Sequence, residues 1–209
     1  MQILFVRHGN TFDPGDKVVW VGGETDLPLV DKGGAQAQAV AEALRRCNLV
    51  PDRIFAASLQ RTRRTADIIA AELGLPPPIV DERLDELNYG RWAGRSNDEI
   101  AAGGPAARAA MEAWNSRDIW PGDAGWVSRE ADVRQSLDAF AAERLAGRDN
   151  RRPLVVSSNG ILRFLPRLLL PVDLFRPSFK MRTGHLGIVE REGDRAQLRC
   201  WDVPPGELR

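Results

Sequence analysis

Apolar residues in this chain gather into short runs separated by longer stretches of mixed polarity. Ile3 to Val6, Ile54 to Ala57 and Leu154 to Val156 are unbroken apolar runs. Runs this short, without alternation, fit strands buried on both faces. They predict strands over residues 2–6, 53–57 and 153–157. Between the first two the apolar spacing becomes helical. Ala37, Val40, Ala41 and Leu44 fall on one face of a helix expected from Gly33 to Arg46, with Asp31 as its cap. Thr62, Ala66, Ile69 and Leu73 repeat the pattern after Ser58, a residue type that caps helices, and Gly74 closes the segment. Pro76 to Pro78 block continuation, and Ile79-Val80 make a third short strand.

Two more helices are expected near Asn97–Trp114 and Arg129–Ala146, with Trp120 and Trp126 in an aromatic loop between them. Residues 12–25 read as a loop on the rim of the first strand's turn, with Val18 to Val21 as an edge strand. After the strand at 153–157 come a helix from Ile161 to Leu170 and a loop from Phe179 to Gly184. Strands at His185–Glu190 and Ala196–Trp201 follow, joined by a turn at Gly193. Strands alternating with helices predict a three-layer α/β sandwich, a mostly parallel sheet flanked by helices. The expected organisation is one domain over residues 1–209, with a small helical cap inserted at about 96–149.

Composition narrows the function classes. Lys and Arg total 29, and so do Asp and Glu, so no global charge favours nucleic acid or an anionic membrane. An anion site here must be a local cluster of arginines. Cys47 and Cys200 stand too far apart for a disulfide framework or a metal spacing. The longest apolar candidate for a membrane span, residues 162–172, is short and broken by Arg163 and Pro166. The first strand begins at Gln2, so no signal peptide is expected, and a cytoplasmic location follows as the default.

The chemistry concentrates where strands end. The first strand empties into Arg7-His8-Gly9, and open α/β sheets bind ligands at the carboxyl ends of their strands. Arg7 offers a planar fork of donors suited to phosphate. His8 can act as nucleophile or base near neutral pH. Arg61 falls in the first helical turn after the second strand, where free backbone N–H groups already attract anions. A run of acids, Asp81, Glu82, Asp85 and Glu86, follows the third strand.

Five segments together resemble the histidine phosphatase superfamily, which includes the cofactor-dependent phosphoglycerate mutases. They are QILFVRHGNT at 2–11, DLPLVDKG at 26–33, SLQRTRRTA at 58–66, LDELNYGRWAG at 84–94 and VVSSNGILR at 155–163. The resemblance implies a phosphoglycerate mutase-like fold and phosphomonoester hydrolysis through a phosphohistidine on His8. It gives Glu86 the role of general acid, a task that calls for a carboxyl group whose pKa is raised by partial burial. It gives phosphate binding to Arg7, Arg61 and Asn10, leaves 26–33 architectural, and requires no metal and no cofactor. The implied partner is a small phosphorylated substrate or ligand. The oligomeric state stays open, with a homodimer among the options.

The last segment departs from the pattern. Where the family has a second histidine followed by Gly, this chain has Ser158 followed by Asn159. The remaining histidine, His185, begins a later strand and does not match. A serine can still donate one neutral hydrogen bond to a phosphoryl oxygen, but it supplies no cation. Losing a transition-state donor costs on the order of 3 kcal/mol, roughly a hundredfold to a thousandfold in rate. Lys180 and Arg182 are the candidates for the missing charge. Three readings follow: an impaired or modified phosphatase, a catalytically silent member that binds a phosphorylated ligand or partner, and, less favoured, a mutase. Against the mutase stand the missing histidine and Gly22-Gly23, where mutases carry Thr-Gly. The cap lacks a P-G-G-E segment, so no substrate contact carries over from it.

Overall fold

A computed structural model describes residues 1–145, 151–193 and 195–209. Six strands form one sheet: β1 (Gln2–Arg7), β2 (Arg53–Ala56), β3 (Ile79–Val80), β4 (Pro153–Ser157), β5 (Leu186–Glu192) and β6 (Arg195–Val203). Their order is β3-β2-β4-β1-β5-β6. The first four run parallel, and β5 and β6 complete the sheet antiparallel. β1 and β4 lie side by side in the middle, with Arg7 in register with Ser157.

Strand alternation builds two cores from one sheet, because successive side chains point to opposite faces. Leu4 and Val6 pack with Val40, Ala41 and Leu44 of α1 (Asp31–Arg46) and with Ala66 and Ile69 of α2 (Gln60–Leu73). Ile3 and Phe5 pack on the other face with Trp114, Leu137 and Phe140. Those three come from α4 (Pro105–Arg117) and α5 (Glu130–Phe140), which follow the short α3 (Asn97–Ala101). The helices of residues 97–140 therefore share the core of the sheet's second face. Among the described residues no helix is long and apolar enough to cross a membrane.

Several boundaries differ from expectation. The helix expected over 97–114 is two helices, because Gly104 takes a backbone φ of 114° and Pro105 starts a new turn. The helix expected over 129–146 begins at Glu130, and after Phe140 it relaxes into a π-turn over Ala141–Leu145. Its expected last residue, Ala146, lies outside the described residues. The helix expected from Ile161 to Leu170 is split into α6 (Asn159–Leu162) and α7 (Leu165–Leu169), with Pro166 at the start of the second. Val18 to Val21 are not a strand of the sheet. They lie extended against the 94–95 segment, where Trp20 N–H donates to the Arg95 carbonyl at 2.9 Å and Gly94 N–H to the Trp20 carbonyl at 2.9 Å.

Gly74 closes α2 as expected, but neither residue expected to cap a helix start acts as one. Asp31 is the first residue of α1 rather than its cap. Ser58 gives both its N–H and its hydroxyl to the Asp85 carboxylate, at 2.6 and 2.7 Å. The start of α2 is capped instead from a distance, by Asp26 Oδ1 accepting from Gln60 N–H at 2.7 Å.

Candidate active site

Arg7, His8, Asn10, Arg61 and Glu86 line one cavity of about 490 Å³ at the carboxyl edge of the parallel strands. They arrive from three places: the end of β1 and its turn, the first turn of α2, and the segment after β3. Arg7 ends β1, and His8 is held by its N–H donating to the Ser157 carbonyl of β4 at 3.1 Å. Gly9 follows because nothing larger fits: a Cβ there would lie 2.2 Å from the Gly33 carbonyl oxygen. A Cβ on Gly33 would in turn lie 2.2 Å from the Asn10 carbonyl oxygen, so segment 26–33 packs directly against the turn. The Gly9 N–H donates to Thr65 Oγ1 at 3.1 Å, which ties the turn to α2 as well.

His8 is buried, and its Nδ1 lies 2.7 Å from the Gly9 carbonyl oxygen. A carbonyl only accepts, so Nδ1 carries the hydrogen and Nε2 keeps its lone pair. Burial lowers the pKa of His8 well below the ordinary 6.5, and the charges of Arg7 and Arg61 lower it further. The imidazole is thus neutral, as a nucleophile must be. Arg7 is braced by Nη1 donating to the Met181 carbonyl at 2.8 Å. Arg61 donates to the carbonyls of Thr25 and Gly22, at 2.8 and 3.3 Å, and so holds the far end of the rim. Asn10 is fixed by the Thr183 hydroxyl on its Oδ1.

Glu86 reaches the cavity after a 3-10 turn at Glu82–Leu84 that follows β3. Its Oε1 accepts from Leu87 N–H at 2.9 Å and its Oε2 from Gly160 N–H at 3.1 Å. Gly160 is needed here, since a Cβ would sit 2.2 Å from Glu86 Oε1 and 2.7 Å from the Tyr89 hydroxyl. Burial and the Glu86 charge push the Tyr89 phenol well above the usual 10, so it stays a neutral donor beside the carboxyl. Trp92, the other aromatic of this segment, packs on Trp20 and Trp126 rather than on Glu86.

A second compartment of about 480 Å³ shares Arg7 and Glu86 with the first. Trp20, Tyr89, Trp114, Asn97, Asn115, Asn159 and Lys180 lie along its wall. Ser158 lines neither compartment. It is 1% exposed, and its hydroxyl has no hydrogen-bond partner among the described residues. Arg182 points elsewhere, with Nε 2.9 Å from Asp202 Oδ2. His185 also turns to Asp202, at 3.1 Å.

Sequence reasoning missed Asp118. It ends α4 with a left-handed φ of 56°, a conformation that Asp tolerates. Its carboxylate pairs with buried Arg163 at 2.5 Å and with Arg167 at 3.1 Å, and it accepts from Ser178 Oγ and Phe179 N–H at 2.6 Å each. That hub fixes the segment carrying Lys180 and the Met181 carbonyl. No spacing signal marks it, because its partners are 45 to 61 residues away.

Comparisons with known proteins identify the family. The chain is 32% identical over 170 residues to the probable phosphoglycerate mutase GpmB of Erwinia tasmaniensis, covering 81% of this chain and 75% of that protein. A mycobacterial glucosyl-3-phosphoglycerate phosphatase, solved with vanadate, superposes with a TM-score of 0.77 at 28% identity, over 97% of this chain and 98% of that one. The alpha-ribazole phosphatase of Shigella flexneri shares the fold, with a TM-score of 0.72 at 21% identity over 98% and 97%. The sequence pattern of one family runs through residues 3–204, nearly the whole chain that builds this sheet edge, and the chain belongs to that family, the histidine phosphatase superfamily, branch 1.

Proposed function

We propose that this protein hydrolyses small phosphomonoesters through a phosphohistidine on His8. The observation that carries the reading is the meeting of Arg7, a neutral His8, Arg61 and Glu86 on one cavity. Arg7, Arg61 and Asn10 hold the phosphoryl oxygens. Nε2 of His8 attacks phosphorus in line as the ester P–O bond breaks, and Glu86 gives its proton to the departing alcohol oxygen. Water then attacks the phosphohistidine, returns a proton to Glu86 and frees inorganic phosphate. Charge stabilisation comes from the two guanidinium groups, so the cycle calls for no metal.

The mutase reading is less well supported. A side chain at position 22 would meet the Leu87 carbonyl oxygen, 2.8 Å from a Cβ, so the Thr-Gly pair of the mutases has no room in this rim. The silent-binder reading rests on Ser158, which we take to stand in for the family's second histidine. Its buried hydroxyl is a weak substitute for a cation.

The test is a rapid-quench experiment on wild-type protein with a series of phosphomonoesters. Acid-labile phosphate should accumulate on His8, chelator should leave turnover intact, and His8→Ala should remove it by a factor on the order of 10⁴ or more. Turnover that survives His8→Ala, or that chelator abolishes, would refute the mechanism. If no ester turns over while inorganic phosphate binds and Arg61→Ala weakens that binding, the protein is a binder.

A further inference from the structure

The second compartment is biased toward hydrogen-bond donors. Trp20 Nε1–H donates to Asn97 Oδ1 at 2.8 Å. Met181 N–H donates to Asn159 Oδ1 at 3.0 Å, and Lys180 Nζ to Asn115 Oδ1 at 3.4 Å. None of these three partners can accept, so each amide is oriented with its oxygen toward a donor and its NH₂ left to give. Lys180 is itself a donor, and among the described residues no carboxylate pairs with it. The neighbouring cations are committed: Arg163 and Arg167 to Asp118, Arg182 to Asp202. Lys180 lies near Arg7 and Arg163, whose charges, after burial, lower its pKa against the opposing pull of Asp202 and Asp118. The acceptors on this wall are the Glu86 carboxylate, whose oxygens already take the Leu87 and Gly160 N–H groups, Asp98, which is exposed to water as Asn97 and Lys180 are, and Ser96, whose hydroxyl oxygen already takes the Glu99 N–H.

The direction of the compartment follows from Glu86. If Glu86 protonates the leaving oxygen, as the proposed function has it, the leaving group extends past Glu86 into the space that Lys180 borders. Lys180 does not line the cavity of His8, which argues against a role on the transferred phosphoryl group. We infer that the second compartment receives an oxyanion on the leaving group, a carboxylate or a second phosphate, held by Lys180 and the amides of Asn97, Asn115 and Asn159. The preferred substrates are then phosphomonoesters whose alcohol carries its own negative charge.

The test uses three matched esters: propyl phosphate, 3-(phosphonooxy)propanoate and propane-1,3-diyl bisphosphate. The wild type should favour a charged ester over propyl phosphate by about tenfold or more in kcat/KM, and whichever charged ester leads identifies the oxyanion. Lys180→Gln should bring that ratio close to one through KM, and Lys180→Arg should restore most of it. A wild type without the preference overturns the inference. So does a ratio unmoved by Lys180→Gln, or a fall in kcat shared equally by all three esters. If no ester turns over, calorimetry of the same three compounds separates the two claims. Tighter binding of a charged ester, lost in Lys180→Gln, keeps the compartment's role while hydrolysis fails. Equal binding of all three sinks it.

Discussion

Two turns leave the centre of the sheet side by side, and they are armed differently. β1 ends in Arg7-His8-Gly9, and β4 ends in Ser157-Ser158-Asn159-Gly160, with Arg7 and Ser157 in register. Both turns need a glycine, for different reasons. Gly9 is required by backbone, since a Cβ there meets the Gly33 carbonyl, whereas Gly160 is required by side chains, the Glu86 carboxylate and the Tyr89 hydroxyl. The first turn carries the nucleophile of the proposed mechanism and is fixed by architecture. The second carries no charge, and its task is to leave room for Glu86 and to hold the segment behind Arg7. Neighbouring parallel strands of one sheet can thus divide the proposed chemistry and its support between them.

The largest effect should come from exchanging the two constraints. Gly160→Ala should lower kcat by roughly 10²–10⁴-fold, the scale of a lost general acid, with little change in melting temperature. Gly9→Ala should instead destabilise the fold by about 1–3 kcal/mol, because the obstacle is backbone that cannot rotate away. Kinetics and thermal melts on the two variants read both. Equal behaviour of the pair would erase the distinction between the turns.

Arming the second turn should produce a smaller change of opposite sign. Ser158→His puts an imidazole beside the first turn and should raise turnover of a generic aryl phosphate by up to roughly a hundredfold. Asn159 should be kept in that experiment, because its Oδ1 holds Met181 N–H and through that segment the brace on Arg7. Unchanged or slower turnover would mean that the serine is not what limits the reaction.

The smallest expected effect concerns pH. His8 is held neutral when folded, with a pKa well below 6.5, while the unfolded chain protonates it near 6.5. As pH falls through that value the unfolded state gains a proton that the folded state refuses, so stability drops. The His8 contribution is fully present above about pH 6.5. Urea midpoints between pH 7 and pH 5 should therefore fall less in His8→Gln than in the wild type. A parallel fall would show that burial, Arg7 and Arg61 do not depress the His8 pKa as described.

Much of the first turn was legible in the sequence, and much less of the second. An apolar run ending in Arg-His-Gly states its own place in a parallel sheet, and Arg61 and Glu86 follow at the ends of the next two strands. Side-chain destinations were not legible. Ser58 looked like a helix cap, but Asp85 takes it, and Asp26 caps α2 across 34 residues. Arg182 and Lys180 are equal candidates by sequence, and only the fold shows Asp202 holding one of them. Spacing encodes which residues share an element's face. It does not encode which loops meet, and the second compartment is made almost wholly of loops and helix ends.

The interlocked glycines have a further consequence for how this enzyme family can diversify. Gly9 against Gly33, with Val30 N–H donating to the Asn10 carbonyl at 3.1 Å, closes residues 10–30 into a loop sealed at its base. Arg61 seals the same loop again at Gly22 and Thr25. Between these seams Asp13 to Val18 are all exposed. Inserting residues at that tip changes only the length of an already closed loop, and doubling such a loop costs about 0.6 kcal/mol. The rim can therefore be lengthened, shortened or exchanged wholesale between relatives without disturbing the position of the His8 imidazole.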